Sequence, residues 1–156
     1  MTGRTSPPAV GDPAPGWASK NQYGAPVETA ELTGAPALLM FYPYAFTGIC
    51  SGELRAVQDL MSEFTAHDAR VLAISCDSMF SLRVFAEQED FTFELVSDHW
   101  PHGGIASAYG VFDEQAGCAL RASFLLDADG GVAWSVVNGI GDARNIADHV
   151  SALTRL

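Results

Sequence analysis

Two short, mostly apolar runs constrain this chain more than anything else in it: residues 36–42, P-A-L-L-M-F-Y, and residues 70–76, R-V-L-A-I-S-C. Each is the length of a strand and lacks the polar/apolar alternation of a half-exposed one, so each reads as a strand buried on both faces. Between them Leu54, Val57, Leu60, Met61 and Phe64 recur at spacings of three and four, which predicts an amphipathic helix over residues 47–64. Strands covered on both sides need a layer above and a layer below, and the remaining residues must supply them.

They do so in a recognisable order. A second helix is expected over 80–89, a short extended piece over 93–96, and a loop, S-D-H-W-P-H-G-G, over 97–104. Residues 119–126 and 132–137 flank D-A-D-G-G, turn chemistry for a β-hairpin, and a last helix is expected over 142–153. Extended pieces around Gly24 suggest a small peripheral hairpin over 17–27, and the Pro- and Gly-rich residues 1–15 suggest a mobile N-terminal arm before a domain of 16–156. Strand, helix, strand, helix, hairpin, helix is the order of an α/β thioredoxin-like fold. That fold is a three-layer sandwich with a mixed central sheet and helices on both faces.

Charge narrows the partners. Acidic residues outnumber basic ones 19 to 8, the formal net charge is −11, and Lys and Arg form no cluster. Nucleic acid and anionic membrane both require positive charge to displace counterions, so neither is expected as a partner. Residues 1–16 lack the apolar core of a signal peptide, and no stretch reaches the length of a membrane span; a soluble, cytoplasmic protein is the expectation. Three cysteines, Cys50, Cys76 and Cys118, form no C-x-x-C pair, which argues against a disulfide framework or a zinc site built on cysteine pairs.

The chemistry gathers at residues 43–50, P-Y-A-F-T-G-I-C, directly after the first apolar run. If the helix begins near Thr47, Cys50 sits in its first turn, where unpaired backbone N–H groups and the helix dipole favour an anion. Such a setting draws a thiol toward the nucleophilic thiolate. Three residues on, where thioredoxin-type exchange would need a second thiol, the chain has Glu53. A thiolate without that partner suits attack on a peroxide O–O bond. Thr47 can offer a hydroxyl to the peroxide, and Pro43, which has no N–H, can wall the pocket. Arg121, odd as a charge beginning the apolar strand R-A-S-F-L-L, reaches the sulfur if its strand pairs beside the first run, with Glu53 orienting it.

Pro43-xxx-Thr47-xx-Cys50 resembles the active-site signature of the peroxiredoxins. The stretches F-Y-P-Y-A-F-T-G-I-C-S-G-E-L (41–54), S-D-H-W-P-H-G (97–103), A-Y-G-V-F-D-E-Q-A-G (108–117) and R-A-S-F-L-L-D-A-D-G (121–130) are similar to the AhpE-type one-cysteine members. The resemblance implies a thiol peroxidase in which Cys50 attacks hydrogen peroxide, an organic hydroperoxide or peroxynitrite and becomes a sulfenic acid. Thr47 and Arg121 are then polar partners of sulfur and peroxide, Pro43 shields the pocket and Glu53 positions the arginine. It also implies no metal, flavin or haem, and re-reduction by an external thiol of mycothiol/mycoredoxin or thioredoxin type. A homodimer or higher homo-oligomer is implied too, with Phe46, Phe80 and Trp100 as contacts, and Tyr44, Phe46 and Trp100 suggest apolar room for fatty-acid-type hydroperoxides.

Plainer readings stand beside these. Cys50 taken alone reads as a packed core thiol, Cys76 as an inert strand residue, and Cys118 as a loop thiol with a minor claim to pair with Cys50 or with a partner chain. His99 and His102 lack a third ligand at a suitable distance and read as loop histidines; Asp127 and Asp129 read as turn residues. The rival functions are a thiol–disulfide oxidoreductase on the same fold and a non-catalytic redox sensor or holdase.

Overall fold

Every residue of the first apolar run's centre lies inside the molecule: Ala37–Phe41 form a strand with no residue more than 1% exposed. The structure, a computed structural model, describes residues 3–156. In chain order the elements are β1 (Ala18–Asn21), β2 (Pro26–Glu28), a 3₁₀ turn (Thr29–Leu32), β3 (Ala37–Phe41), α1 (Gly48–Asp59), α2 (Met61–Ala66), β4 (Arg70–Ser75), α3 (Met79–Glu89) and β5 (Glu94–Ser97). There follow α4 (Gly104–Ala108), β6 (Phe112–Asp113), β7 (Cys118–Ala119), β8 (Arg121–Leu126), β9 (Val132–Asn138) and α5 (Ile146–Thr154).

Seven strands form one mixed sheet in the order β2-β1-β5-β4-β3-β8-β9. β3 runs parallel to β4 and β4 to β5, while β8 returns antiparallel to β3 with Leu39 opposite Phe124. Alternation along β3 divides its side chains between two cores. Leu38 and Met40 join Leu54 and Val57 of α1, Phe64 of α2, Phe85 of α3 and Leu153 of α5. Leu39 and Phe41 join Ile105 and Ala106 of α4, with Trp17 and Tyr109, on the opposite face. Each fully buried Leu or Phe contributes roughly 1.5–3 kcal/mol of transfer free energy, which holds β3 between the two cores and makes its end a rigid platform.

Three features differ from the sequence reading. The helix expected over 47–64 is broken at Leu60, whose backbone (φ −104°, ψ 10°) leaves the helical region. The apolar spacing runs on unchanged across that bend, so periodicity does not reveal it. Helix α4 and the separate β6–β7 ladder are too short to show a period. Residues 1–15 were expected as a mobile arm; residues 1 and 2 lie outside the described residues, and residues 3–15 lie against the body instead. Gly11 N–H donates to the Val132 carbonyl (2.8 Å), Val132 N–H to that of Asp12 (2.9 Å), and Ala14 N–H to that of Gly130 (3.0 Å). Proline-rich composition removes donors but does not prevent such edge pairing.

Candidate active site

The end of β3 sets the site. Tyr42 N–H still bonds the Ile74 carbonyl (3.0 Å), and Pro43 then has no N–H with which to continue the ladder. Ala45 N–H is taken by the Asp77 carboxylate (2.9 Å). Phe46 adopts the left-handed region (φ 67°), a conformation that costs a non-glycine residue about 1–2 kcal/mol and turns the chain sharply into α1. Thr47 is the N-cap residue by backbone, but its hydroxyl donates to the Tyr44 carbonyl (2.8 Å) rather than capping the helix. Ser51 N–H makes the first bond of α1, to Thr47 O (2.9 Å). Cys50, one residue earlier, therefore stands among the helix's unpaired N–H groups with the dipole behind it.

Cys50 has no exposed surface. Arg121, at the start of β8, directs Nη1 to the Cys50 sulfur at 3.3 Å and to Glu53 Oε1 at 2.7 Å. Its Nε donates to the Ile140 carbonyl, so the guanidinium is held on two sides. The β3–β8 pairing that places Met40 opposite Ser123 carries Arg121 two residues farther, past the end of β3 to where α1 begins.

Glu53 serves two arginines, and the second is one the sequence reading missed. Arg144, fully buried in its side chain, grips the carboxylate through Nε to Oε2 (2.9 Å), Nη2 to Oε1 (2.9 Å) and its own backbone N–H to Oε2 (2.7 Å). Its Nη1 reaches the carbonyls of Phe41 (2.7 Å) and Ala122 (2.9 Å) and the Ser123 hydroxyl (3.1 Å). Burial pushes the Glu53 carboxyl up, but hydrogen bonds and charge from Arg144, with a further bond from Arg121, hold it below the ordinary carboxylate value. One signal was available. Arg144 directly precedes Asn145, the N-cap of α5, where the dipole disfavours a cation unless a carboxylate compensates it.

Next to this cluster an open cavity of about 410 Å³ is lined by Pro43, Tyr44, Thr47, Ile49, Arg121 and Ile140. Pro43, Thr47 and Arg121 thus share one mouth beside Cys50, with Glu53 behind Arg121. Phe46 and Trp100, grouped with Tyr44 from the sequence, do not line it. Trp100 and Phe80 instead border a separate cavity of about 350 Å³ with Lys20, Met79 and His99. His102 hydrogen-bonds the Gly117 carbonyl (2.7 Å), and Asp127 Oδ1 accepts from the N–H groups of Asp129 (2.9 Å) and Gly131 (3.0 Å), closing the β8–β9 turn.

The remaining thiols are buried without a guanidinium on the sulfur. Burial, with the negative charge of Asp98 behind it, pushes the Cys76 thiol up to about 12. Burial also raises that of Cys118, against a smaller opposing effect of a hydrogen bond from Tyr44.

A single thiol at a helix N-terminus, an arginine on its sulfur and a mixed sheet behind them define a thiol-dependent peroxidase on a thioredoxin-like fold. Residues 10–135 match the AhpC/TSA family, and the chain belongs to that family, on the AhpE-type peroxiredoxin branch. Over 149 residues it is 41% identical to alkyl hydroperoxide reductase E of Mycobacterium tuberculosis, covering 93% of this chain and 97% of that one. Among solved structures it is similar to peroxidoxin BcpB from Mycobacterium tuberculosis (TM-score 0.81, 25% identity, 100% of this chain and 99% of the other). Enterococcus faecalis AhpC also shares the fold (TM-score 0.84, 23% identity, 99% and 92% covered).

Proposed function

We propose that Cys50 is the peroxidatic residue of a one-cysteine peroxidase acting on hydrogen peroxide and organic hydroperoxides, peroxynitrite included among its oxidants. The observation that carries this reading is the Arg121 Nη1 donor 3.3 Å from the Cys50 sulfur, itself tied to Glu53. The Cys50 thiolate attacks the terminal oxygen of ROOH. An S–O bond forms as the O–O bond breaks, sulfur loses two electrons to the peroxide, and the departing alkoxide takes a proton to leave as ROH. Arg121 supplies a fixed donor where negative charge passes from sulfur to oxygen, and the first-turn N–H groups of α1 supply others. Thr47 and Pro43 border the approach, and the apolar wall of Tyr44, Ile49 and Ile140 suits an organic R group. An external thiol then attacks the sulfenic sulfur, releasing water and forming a mixed disulfide that a second thiol opens.

The position where an exchange enzyme needs its second thiol is filled by Glu53, which is occupied with two arginines; this disfavours the oxidoreductase reading. A homodimer across the surface of Phe80 (72% exposed), Trp100 (85%) and Phe46 (52%) is part of the proposal, because aromatic side chains so exposed favour a covering partner. A cytoplasmic setting, where reducing thiols are supplied, fits the same chemistry.

The test is stopped-flow oxidation of the reduced protein together with its intact mass after one equivalent of peroxide. Fast second-order consumption that vanishes in Cys50→Ser, with the mass of one oxygen atom gained, is expected. Consumption that survives Cys50→Ser defeats the proposal, and loss of two hydrogens in place of the oxygen defeats the one-cysteine form of it.

A further inference from the structure

Behind Arg144 the hydrogen-bonded chain continues to a buried histidine that the peroxidase chemistry leaves unused. His149, on α5 and 1% exposed, lies with Nε2 2.8 Å from Ser123 Oγ and Nδ1 3.2 Å from the Asn145 carbonyl. A carbonyl oxygen only accepts, so Nδ1 carries the proton. In the neutral ring Nε2 is then an acceptor, and the Ser123 hydroxyl must donate to it. That leaves the Ser123 lone pairs for Arg144 Nη1 at 3.1 Å. Each bond fixes the direction of its neighbour: Arg144 to Ser123, Ser123 to His149, His149 to the backbone of α5. Trp134 of β9 holds the imidazole edge-on at 5.0 Å between ring centres.

We propose that His149 is a positioning residue of the site, setting through Ser123 the hold on Arg144 and hence the place of the Glu53–Arg121 pair at the Cys50 sulfur. This rests on the peroxidase reading above. A charged imidazole would carry a proton on Nε2 and face Ser123 as a second donor opposite Arg144, with two cations in one buried space. Burial and the Arg144 charge accordingly pull His149 down to about 4, against the opposing pull of the Asn145 carbonyl and the carboxylates of Glu53 and Asp148. The same bond pattern makes Ser123 the coupling element: its hydroxyl is hydrogen-bonded to both side chains.

Two measurements test this. The first needs no variant: long-range ¹H–¹⁵N correlation of the imidazole in the wild-type protein should show a neutral ring protonated on Nδ1 at neutral pH, charging only near pH 4. An Nε2–H tautomer, or an imidazolium at neutral pH, overturns the proposal. The second is the rate of oxidation by hydrogen peroxide. His149→Phe keeps a ring against Trp134 but leaves Ser123 without an acceptor. A loss of about ten-fold is expected, at the small end of what displaced reacting groups cost. His149→Gln, whose amide oxygen can take the Ser123 proton, should recover most of it. A folded His149→Phe protein that reacts within about two-fold of wild type, or a Gln variant no faster than the Phe variant, overturns the proposal. Absence of peroxide reactivity in the wild type would overturn the peroxidase reading instead, and the tautomer would still report on His149.

Discussion

Cys50 and Cys76 are both buried, 0% and 4% exposed, and both lie at the same end of the central sheet, just beyond β3 and β4. Their surroundings could hardly differ more. Cys50 comes after a turn into the head of a helix and meets a guanidinium; Cys76 is pushed up to about 12 by burial first and then by the charges of Asp98 and Asp77. Exposure does not separate the thiol proposed as reactive from the one read as inert. Their partners do: a guanidinium and the first-turn N–H groups of α1 surround one sulfur, while carboxylates lie behind the other.

The comparison can be broken most severely at the sulfur itself. Cys50→Ser should lower peroxide consumption roughly a thousand-fold or more, to the background of the other thiols. Arg121→Ala should come next with a loss of about 10²–10³ in the rate of oxidation, the usual cost of one fixed donor at developing charge, in stopped-flow traces. Arg121→Lys should recover only part of it, since an ammonium does not reproduce the planar fork that spans Glu53, sulfur and the Ile140 carbonyl.

Glu53→Gln should act on stability first. It leaves two buried arginines without their carboxylate, a loss of about 3–5 kcal/mol in urea unfolding. The pH dependence has a definite sign. A carboxyl whose folded value is depressed gives stability that is fully present above its unfolded value and is lost as pH falls through the folded one. The wild-type protein should therefore lose stability below the ordinary carboxylate range, and the Gln variant should lack that component.

Smaller effects sharpen the other side of the contrast. Trp100→Glu should shift sedimentation toward monomer while leaving the fold intact. Cys76→Ala and Cys118→Ala should each change the oxidation rate by less than about two-fold, and alkylation at neutral pH should reach Cys76 only after denaturation. A native Cys76 that labels as fast as Cys50 would remove the distinction altogether.

Much of this was legible in the sequence because it is local. Pro43, Thr47, Cys50 and Glu53 lie within eleven positions, and the strand before them and the helix after them announce themselves by their apolar spacing. Arg121 was found because a charge at the head of an apolar strand needs a reason. Ser123 and His149 gave no such sign, and Arg144 gave only its place before the N-cap of α5. Ser123 is a small polar residue inside a buried strand, and His149 lies on an amphipathic helix where histidine is unremarked. Arg144 meets Glu53 from 91 positions away, a contact that only the closing of β8, β9 and α5 onto α1 creates. The hydrogen bonds of residues 3–15 to the body went unread for a related reason: composition reports what a segment lacks, not which sheet edge it will find.

The burial of Cys50 bears on the fate of its oxidised product. An oxygen atom added to a side chain with no exposed surface presses on the groups packed around it. The turn at residues 44–47 leads directly into the helix that carries Cys50, and Phe46 there is already in an unfavourable conformation. Oxidation of this protein should therefore be felt as a mechanical event at that turn, visible as faster amide hydrogen exchange there in the oxidised state than in the reduced one.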